Sequence, residues 1–331
     1  RLPLALREAG LLARGALWLL QPRRVAARAA ARRMAFLLGE DVGRTVGYAT
    51  RDEVRSSKDT RILVVTEGIL TRRIHEDPSL AGIAAVMLDE FHERSRHADL
   101  ALAFLSEVRG ALREDLLLLV ASATLDAGPV AAYLGEAPVV SSDGGLFPVD
   151  VRWAERRDAR PLEARMAETV RRALAETRGD VLAFLPGARE IRRTAEALGE
   201  LPGLRVAPLH GDLSAEDQDR ALAPGGSRKV ILATNIAETS LTIEGVTAVV
   251  DSGLARVLRL DPRSGLDRLT LSRVSKASAT QRAGRAGRLG PGVCYRLHTR
   301  EEERGVVDFE EPEILRTDAT PALLDVLLWS G

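Results

Sequence analysis

Apolar runs alternate with amphipathic segments along the whole 331-residue chain. Eight of the runs have the length of a strand and are apolar throughout their centre: GALWLLQ, RILVVTEG, IAAVMLDE, LLLLVASAT, DVLAFLPG, LRVAPLHG, KVILATN and VTAVVDSG. Helical patterns lie between several of them, at residues 22–38, 160–177 and 187–199. Continuous apolar strands separated by helices are typical of parallel sheets that are covered on both faces. The pattern therefore predicts an α/β fold.

The series of strands restarts after SSDGGLFP, a turn-rich stretch at residues 141–148. We therefore predict two α/β domains, at residues 1–142 and 143–300. Two short alternating segments flank a turn in LARVLRLDPRSGLDRLTL, which predicts a β-hairpin at residues 254–271. Residues 301–331 begin with a charged stretch and end in TPALLDVLLWSG, which we expect to open a further domain.

The composition is that of an ordinary globular protein, with 45% hydrophobic and 28% charged residues. A formal net charge of zero argues against a protein held to nucleic acid by bulk charge. Residues 252–300 nevertheless carry eleven basic residues against two acidic ones, which leaves room for a local basic groove. Cys294 is the only cysteine, which excludes an internal disulfide and predicts a reducing, cytoplasmic location. No apolar run reaches the roughly 18 residues of a membrane span.

Two acidic residues, Asp89 and Glu90, follow the apolar strand in VMLDEFHE. Open α/β sheets present their functional groups at this end of a strand. A carboxylate there can hold Mg²⁺ through its water shell, while a neighbouring carboxylate orients and deprotonates a water that attacks a phosphate. The alternative is a pair of solvated acids at a strand end, which is common.

A zinc site is a second interpretation of the same stretch, because His92, Glu93 and His97 resemble the HExxH motif. These histidines are five residues apart, which is about 500° around a helix, so they cannot face one metal ion. We therefore reject zinc. Magnesium held by Asp89 through water and a pair of solvated acids both stay open at this point.

Small polar and basic residues follow other strands, and each group is weak evidence by itself. These groups are Gln21, Arg23 and Arg24 in QPRRVAA; Thr66 and Glu67 in TEGIL; Ser122 and Thr124 in SAT; and Thr234, Asn235, Glu238, Thr239 and Ser240 in ATNIAETSLTI.

The segment QRAGRAGR places Arg282, Arg285 and Arg288 three residues apart. On one continuous helix, steps of three residues keep successive side chains within about 60°, so we expect three guanidiniums on one face. Its two glycines weaken a helix, which indicates that something approaches the backbone closely. A solvated basic helix is the alternative.

Seven segments resemble, in sequence and in order, motifs Ia, Ib, II, III, IV, V and VI of the DEAH/RHA helicases of superfamily 2. They are QPRRVAA, TEGIL, DEFH, SAT, FLPG, ATNIAETSLTI and QRAGRAGR. DEFHERS and FEEPEILRTD are most similar to the HrpB-type branch of that family, and Phe91 stands where the family name has alanine. The resemblance implies two RecA-like domains, a strand-separating hairpin at 254–271, and the start of a winged-helix region at 301–331.

The resemblance also implies roles for individual residues. Asp89 contacts Mg²⁺, Glu90 is the general base, Gln281 positions the attacking water, and Arg285 and Arg288 are arginine fingers on an ATP γ-phosphate. Residues near the nucleotide are His92, Ser122, Thr124, Thr239, Asp251 and Arg33. Residues on the backbone of single-stranded RNA or DNA are Arg23, Arg24, Thr66, Gly211, Thr234 and Asn235. We further expect a monomer, and Glu90 and Arg288 facing one another across an interdomain cleft.

The phosphate loop of this family, G-x-x-x-x-G-K-[ST], does not occur in the sequence. PGGSRKV at 224–230 leads directly into a strand and lacks the spacing, so it is no substitute. RLPLAL resembles the helix that follows such a loop, and we expect that the chain begins just after it. We therefore expect weak ATP binding and little hydrolysis from this polypeptide.

Three functions stay open at this point. The first is an ATP-dependent helicase that translocates 3′ to 5′. The second is a catalytically inactive nucleic-acid-binding or regulatory protein. The third is a translocase or nuclease subunit of the same superfamily that consumes ATP without separating strands.

Overall fold

The computed structural model describes residues 1–123, 127–142, 147–223, 225–238 and 243–330. Thr124 and Thr239, both predicted near the nucleotide, lie outside these described residues. None of the described helices is long and apolar enough to cross a membrane.

Two compact units make up the chain. The first comprises Arg1–Val140, Pro262–Leu266 and Glu311–Gly331, and the second comprises Ser141–Asp261 and Asp267–Glu310. Each contains one large, mainly parallel sheet with helices packed against it, so the fold is the predicted α/β fold.

The sheet of the first unit has six strands in the order β3-β2-β4-β1-β5-β6. They are β1 (Ala16–Gln21), β2 (Val46–Ala49), β3 (Val54–Arg55), β4 (Ile62–Thr66), β5 (Ile83–Leu88) and β6 (Leu117–Val120). Only the edge pair of β2 and β3 is antiparallel. The helices are α1 (Leu2–Glu8), α2 (Arg24–Leu37), α3 (Glu67–Glu76), α4 (Arg96–Ala111) and α5 (Ala127–Tyr133).

Both faces of this sheet are buried, as its uninterrupted apolar strands predict. In β1, Leu19 belongs to one hydrophobic cluster and Leu20 to the other. In β4, Val64 and Val65 divide in the same way. This alternation follows from the two-residue repeat of a strand, and it explains why the strands lack polar positions.

The sheet of the second unit has the order β7-β14-β11-β8-β10-β9, and all of its pairings are parallel. The strands of this unit are β7 (Val149–Trp153), β8 (Asp180–Phe184), β9 (Arg205–Leu209), β10 (Lys229–Ala233), β11 (Val246–Asp251), β12 (Leu254–Asp261), β13 (Leu266–Arg273) and β14 (Gly292–Arg296). The helices are α6 (Leu162–Glu176), α7 (Ala188–Leu198), α8 (Ala215–Leu222), α9 (Lys276–Gly284) and α10 (Arg300–Arg304).

Strands β12 and β13 form a separate two-stranded sheet, as the alternating pattern of that segment predicts. Its first strand is anchored by Arg256, which donates to both carboxylate oxygens of Glu190 at 2.6 and 3.0 Å. The same guanidinium lies against Gly187, where a Cβ atom would approach Nη1 to 1.9 Å. Gly187 therefore leaves the space that the Arg256–Glu190 contact uses.

The C-terminal segment contains α11 (Glu313–Arg316) and α12 (Thr320–Ser330) and belongs to the first unit. The Trp329 ring stacks on Phe104 of α4 at 5.0 Å, and its Nε1 donates to Glu107 at 2.6 Å. The Glu313 amide donates to the carbonyl of Arg94 at 2.9 Å. The assignment of residues 301–331 to a winged-helix region stays a prediction.

All eight predicted strands and all three predicted helices are present. The apolar pattern does not mark β2, β3, β7 or β14, because glycine and charged residues shorten their apolar runs. Gly47 in β2 is required sterically, since a Cβ atom there would meet the Arg55 carbonyl oxygen at 2.5 Å.

Candidate active site and nucleic-acid interface

The carboxyl ends of β1 and β5 lie side by side in the first unit. The two strands pair in parallel with Leu20 opposite Leu88, so the next residues of each, Gln21 and Asp89, are also neighbours. The Gln21 side-chain amide donates to Oδ2 of Asp89 at 2.6 Å. Strand register therefore brings together two residues that are 68 positions apart.

The second oxygen of the Asp89 carboxylate is also held, since Oδ1 accepts from the amide of Glu90 at 3.0 Å. Glu90 has φ 53° and ψ 35°, which is the left-handed region that few non-glycine residues adopt. A short 3₁₀ turn, Phe91–Glu93, follows. Such strained backbone clusters at functional sites, and here it turns the chain sharply after the strand.

A magnesium ion fits the residues at this strand end. Burial, together with the adjacent Glu90 charge, raises the pKa of Asp89, so a cation would relieve a real electrostatic cost. Gln21 is buried, and its Oε1 atom has no hydrogen-bond partner among the residues that the structure describes. Across the described residues of the chain, no group of three or more His, Cys, Asp or Glu side chains is placed to hold a metal ion. One carboxylate with ordered water is the arrangement that Mg²⁺ favours.

His92 links the DEFH segment to the end of β6. Its Nδ1 accepts from the amide of Ala123 at 3.3 Å, which leaves the proton of a neutral ring on Nε2. That Nε2 lies 3.4 Å from Oε2 of Glu90. His92 therefore contacts the SAT segment through the backbone amide of Ala123, the neighbour of Ser122.

Phe91, which stands where the family name has alanine, is a core residue. Its side chain is 2% exposed and belongs to the hydrophobic cluster that includes Leu70 and Phe104. Its amide donates to the Ala121 carbonyl at 3.0 Å. The ring thus fills the core beneath the strained turn.

The predicted nucleic-acid contacts of the first unit lie at the same edge of the sheet. Gln21 is paired with Thr66 in the strand register, and Arg23 and Arg24 begin α2 directly after β1. Arg23 forms an ion pair with Glu93 at 3.1 Å. Arg24 pairs with Asp52, and both side chains are exposed.

The predicted contacts of the second unit are likewise close together. Leu209 and Ala233 are register partners at the ends of β9 and β10, and the Thr234 amide donates to the Leu209 carbonyl at 3.1 Å. Gly211 follows β9, and no atom lies within 4 Å of where its Cβ would stand. Gly211, Thr234 and Asn235 therefore share one edge of this sheet.

The expectation of three arginines on one helical face is wrong. Helix α9 ends at Gly284, and a 3₁₀ turn over Arg285–Gly287 follows it. Gly287 lies against another segment, since a Cβ there would meet the Phe147 carbonyl oxygen at 2.5 Å. Gly287 therefore permits a close backbone contact, as predicted, and the helix ends at the other glycine, Gly284.

Arg282 is an interior residue rather than part of an exposed basic surface. Its side chain is 1% exposed and donates to Asp251 at 2.8 Å and to Glu238 at 2.9 Å. The guanidinium also lies 4.9 Å from the centroid of the Phe184 ring. Asp251 is fully buried and also accepts from the Gly253 amide at 2.9 Å. Its place beside a nucleotide stays a prediction.

The other residues of this segment differ in exposure. Arg285 is buried and its Nε donates to the carbonyl of Glu238 at 2.8 Å, whereas Arg288 is exposed. Gln281 is half-buried. In the first unit, Arg33 is exposed on α2 with its guanidinium 5.5 Å from the Phe36 ring centroid.

Known proteins are similar to this chain in sequence and in fold. Residues 165–290 match the helicase conserved C-terminal domain. The chain is 50% identical over 319 residues to the ATP-dependent RNA helicase HrpB of Escherichia coli strain K12, covering 95% of this chain and 39% of that protein. A crystal structure of the Escherichia coli DEAH/RHA helicase HrpB superposes with a TM-score of 0.88 at 49% identity, over 96% of this chain and 41% of that one.

The chain belongs to the DEAH/RHA helicase family. It is close to HrpB within this family, as the motif resemblance predicts. It is also 39% identical over 311 residues to an ATP-dependent RNA helicase HrpA homologue of Haemophilus influenzae, covering 92% of this chain and 24% of that protein. The chain thus spans about two fifths of the HrpB proteins that it matches and a smaller share of the HrpA homologue.

Sequence reasoning did not assign roles to two residues of this DEAH/RHA helicase chain that the structure connects to the candidate site. Gln21 holds Asp89, and Glu93 holds Arg23. The signal for Gln21 was available, because the last residue of one buried strand and the first residue after its neighbour meet at the same sheet edge. No signal in the sequence indicates which acid Arg23 contacts.

Proposed function

We propose that this chain supplies the two RecA-like units of an ATP-dependent RNA or DNA helicase, a nucleoside-triphosphate hydrolase that nucleic acid stimulates. The contact that carries the proposal is that between Gln21 and Asp89, at 2.6 Å. It joins the segment of the predicted nucleic-acid contacts Arg23 and Arg24 to the predicted magnesium carboxylate. Translocation from 3′ to 5′ is the direction that the family resemblance implies.

The proposed chemistry assigns one task to each polar side chain. Glu90, whose Oε2 lies 3.4 Å from His92, would orient a water and accept its proton. Asp89 would hold Mg²⁺ through water, and the ion would supply charge neutralisation on the phosphates of ATP. Gln281 would help to orient the water, and Arg285 and Arg288 would stabilise charge that develops on the γ-phosphate.

The proposed partner is single-stranded RNA or DNA without base specificity. The candidate contacts offer guanidiniums, hydroxyls, an amide side chain and open backbone, which are groups that contact phosphates and sugars. These residues are Arg23, Arg24, Thr66, Gly211, Thr234 and Asn235. Affinity that rests on such contacts falls with salt. A cytoplasmic monomer completes the proposal.

A second candidate function has its own supporting observation. The 331-residue sequence contains no G-x-x-x-x-G-K-[ST] segment. The amides and lysine of such a loop normally cradle the β- and γ-phosphates. We therefore expect this polypeptide by itself to bind ATP weakly and hydrolyse it little. A nucleic-acid-binding protein without turnover would behave in the same way.

The test joins a phosphate-loop segment to Arg1 and measures ATP hydrolysis with magnesium and polynucleotide. We expect Glu90→Gln to retain nucleotide binding while abolishing turnover, and Arg288→Ala to lower kcat by about 10³. Arg192→Gln, at an exposed position of α7, is the control and should leave kcat unchanged. Binding of polynucleotide without any hydrolysis would favour the second candidate function. Hydrolysis without strand separation would indicate a translocase.

A further inference from the structure

Arg23, a predicted contact of the nucleic-acid backbone, already has an anionic partner within the chain. Its Nη2 lies 3.1 Å from Oε2 of Glu93. Both side chains are largely buried, with 23% and 19% of their surfaces exposed. Arg24, the neighbouring cation, pairs with Asp52 where the exposed fractions are 55% and 59%. The Arg23–Glu93 pair is therefore the better shielded of the two and resists salt more.

Glu93 is connected to the candidate catalytic residues through a short backbone path. It is the last residue of the 3₁₀ turn Phe91–Glu93, and its amide donates to the Glu90 carbonyl at 2.9 Å. The residue directly before this turn is the strained Glu90, which is adjacent to Asp89. A change at the Glu93 side chain thus acts on a segment that is only one turn long.

We propose that the Glu93 carboxylate pairs with the Arg23 guanidinium at the position that a nucleic-acid phosphate would take. Binding of a single strand then exchanges the carboxylate for a phosphate. This inference rests on the proposed function. A phosphate offers the same kind of charge-assisted, in-plane contact to a guanidinium as a carboxylate does. The exchange releases Glu93, and with it the turn that directly follows Glu90, only when a strand is present. It supplies a physical route by which nucleic acid stimulates hydrolysis.

The exchange has a cost, because the protein must give up an internal ion pair before Arg23 can hold a phosphate. Removing the Glu93 charge should therefore strengthen nucleic-acid binding. Removing any acid from the protein also lowers general repulsion of phosphate, so a charge-matched control is needed. Glu76 provides it, since this residue of α3 lies in an exposed pair with Arg72.

The experiment measures Kd for a labelled single-stranded RNA by fluorescence anisotropy, with the 331-residue chain at low and at physiological ionic strength. We expect Glu93→Gln to bind about three- to tenfold more tightly than the wild type. Glu76→Gln should change Kd by less than about twofold. In the Arg23→Gln background, the gain from Glu93→Gln should vanish, because no guanidinium is left to release.

Glu93→Asp is a second variant that keeps the charge and tests reach alone. The shorter side chain should loosen the 3.1 Å contact and give a smaller gain than Glu93→Gln. The exchange is overturned if Glu93→Gln binds no more tightly than Glu76→Gln, or if its gain persists without Arg23. If neither the wild type nor any variant binds RNA, the proposed function fails and the exchange fails with it.

Discussion

Gln21 and Asp89 meet at the ends of two adjacent parallel strands, where the Gln21 amide donates to the Asp89 carboxylate at 2.6 Å. Asp89 also accepts from the Glu90 amide, so both of its oxygens are fixed before any ligand arrives. Fixing a carboxylate in this way avoids reorganisation when charge appears beside it. The contact makes Gln21 a positioning residue for the candidate active site.

Replacing Gln21 by leucine should remove this positioning. The Gln21→Leu variant leaves one oxygen of a largely buried carboxylate without its donor, which we expect to cost about 1 to 2 kcal/mol of unfolding free energy. With a phosphate-loop segment joined to the chain, kcat should fall while RNA affinity stays unchanged. Urea titration and steady-state kinetics measure the two effects. An unaltered kcat would show that Asp89 does not need this donor.

Arg282 should matter for stability more than any exposed arginine. Its replacement by methionine leaves the fully buried Asp251 without its ion-pair partner, and breaking such a pair typically costs about 3 to 5 kcal/mol. Arg192→Gln on the surface of α7 should cost less than about 0.5 kcal/mol. Adding Asp251→Asn to Arg282→Met should recover part of the loss. Equal stability of the Arg282 and Arg192 variants would contradict the interior position of Arg282.

Glu67 should make stability depend on pH between about 4.5 and 7. Burial raises the pKa of Glu67 from its ordinary value of 4.5 to about 7, and the charges of Glu93 and Glu313 act in the same direction. Across this window the folded chain keeps a proton that the unfolded chain has lost, so stability from this group decreases as pH rises. It is fully present below pH 4.5 and lost above pH 7.

The variant that tests this is Glu67→Gln, which cannot ionise. We expect it to exceed the wild type in unfolding free energy by about 2 kcal/mol more at pH 8 than at pH 4. Denaturant unfolding at the two pH values measures the difference. If the two proteins change in parallel with pH, Glu67 ionises normally in the folded state.

Gly187 should be coupled energetically to the Arg256–Glu190 pair. In Gly187→Ala the new Cβ would stand 1.9 Å from Nη1 of Arg256, so the guanidinium must move and lose contact with Glu190. We expect a loss of about 1 kcal/mol, and a smaller one when Glu190→Gln is already present. Gly211→Ala, with open space around its Cβ, is the control. Strict additivity of the two substitutions would exclude the coupling.

The order of strands and helices followed from the sequence because it depends on local features. Apolar runs of strand length, such as residues 83–88, bury themselves on both faces wherever they occur in an α/β fold. The motif order indicated the family, and the positions after the strands indicated Asp89, Glu90 and Thr234. Where the pattern was weak, as in β2 and β14, glycine removed the apolar signal, and the strands form because their neighbours pair with them.

Only the tertiary structure decided which of these side chains touch. Gln21 reaches Asp89, and Arg23 reaches Glu93, through the register of strands that are distant in sequence. Arg282 and Arg288 look equivalent in QRAGRAGR, yet one is buried and the other exposed because the helix ends at Gly284. Periodicity is a property of neighbouring residues, whereas ion pairing and burial depend on what the rest of the chain places beside them. The sequence by itself therefore determined the elements and the family, and tertiary packing determined the contacts of each charge.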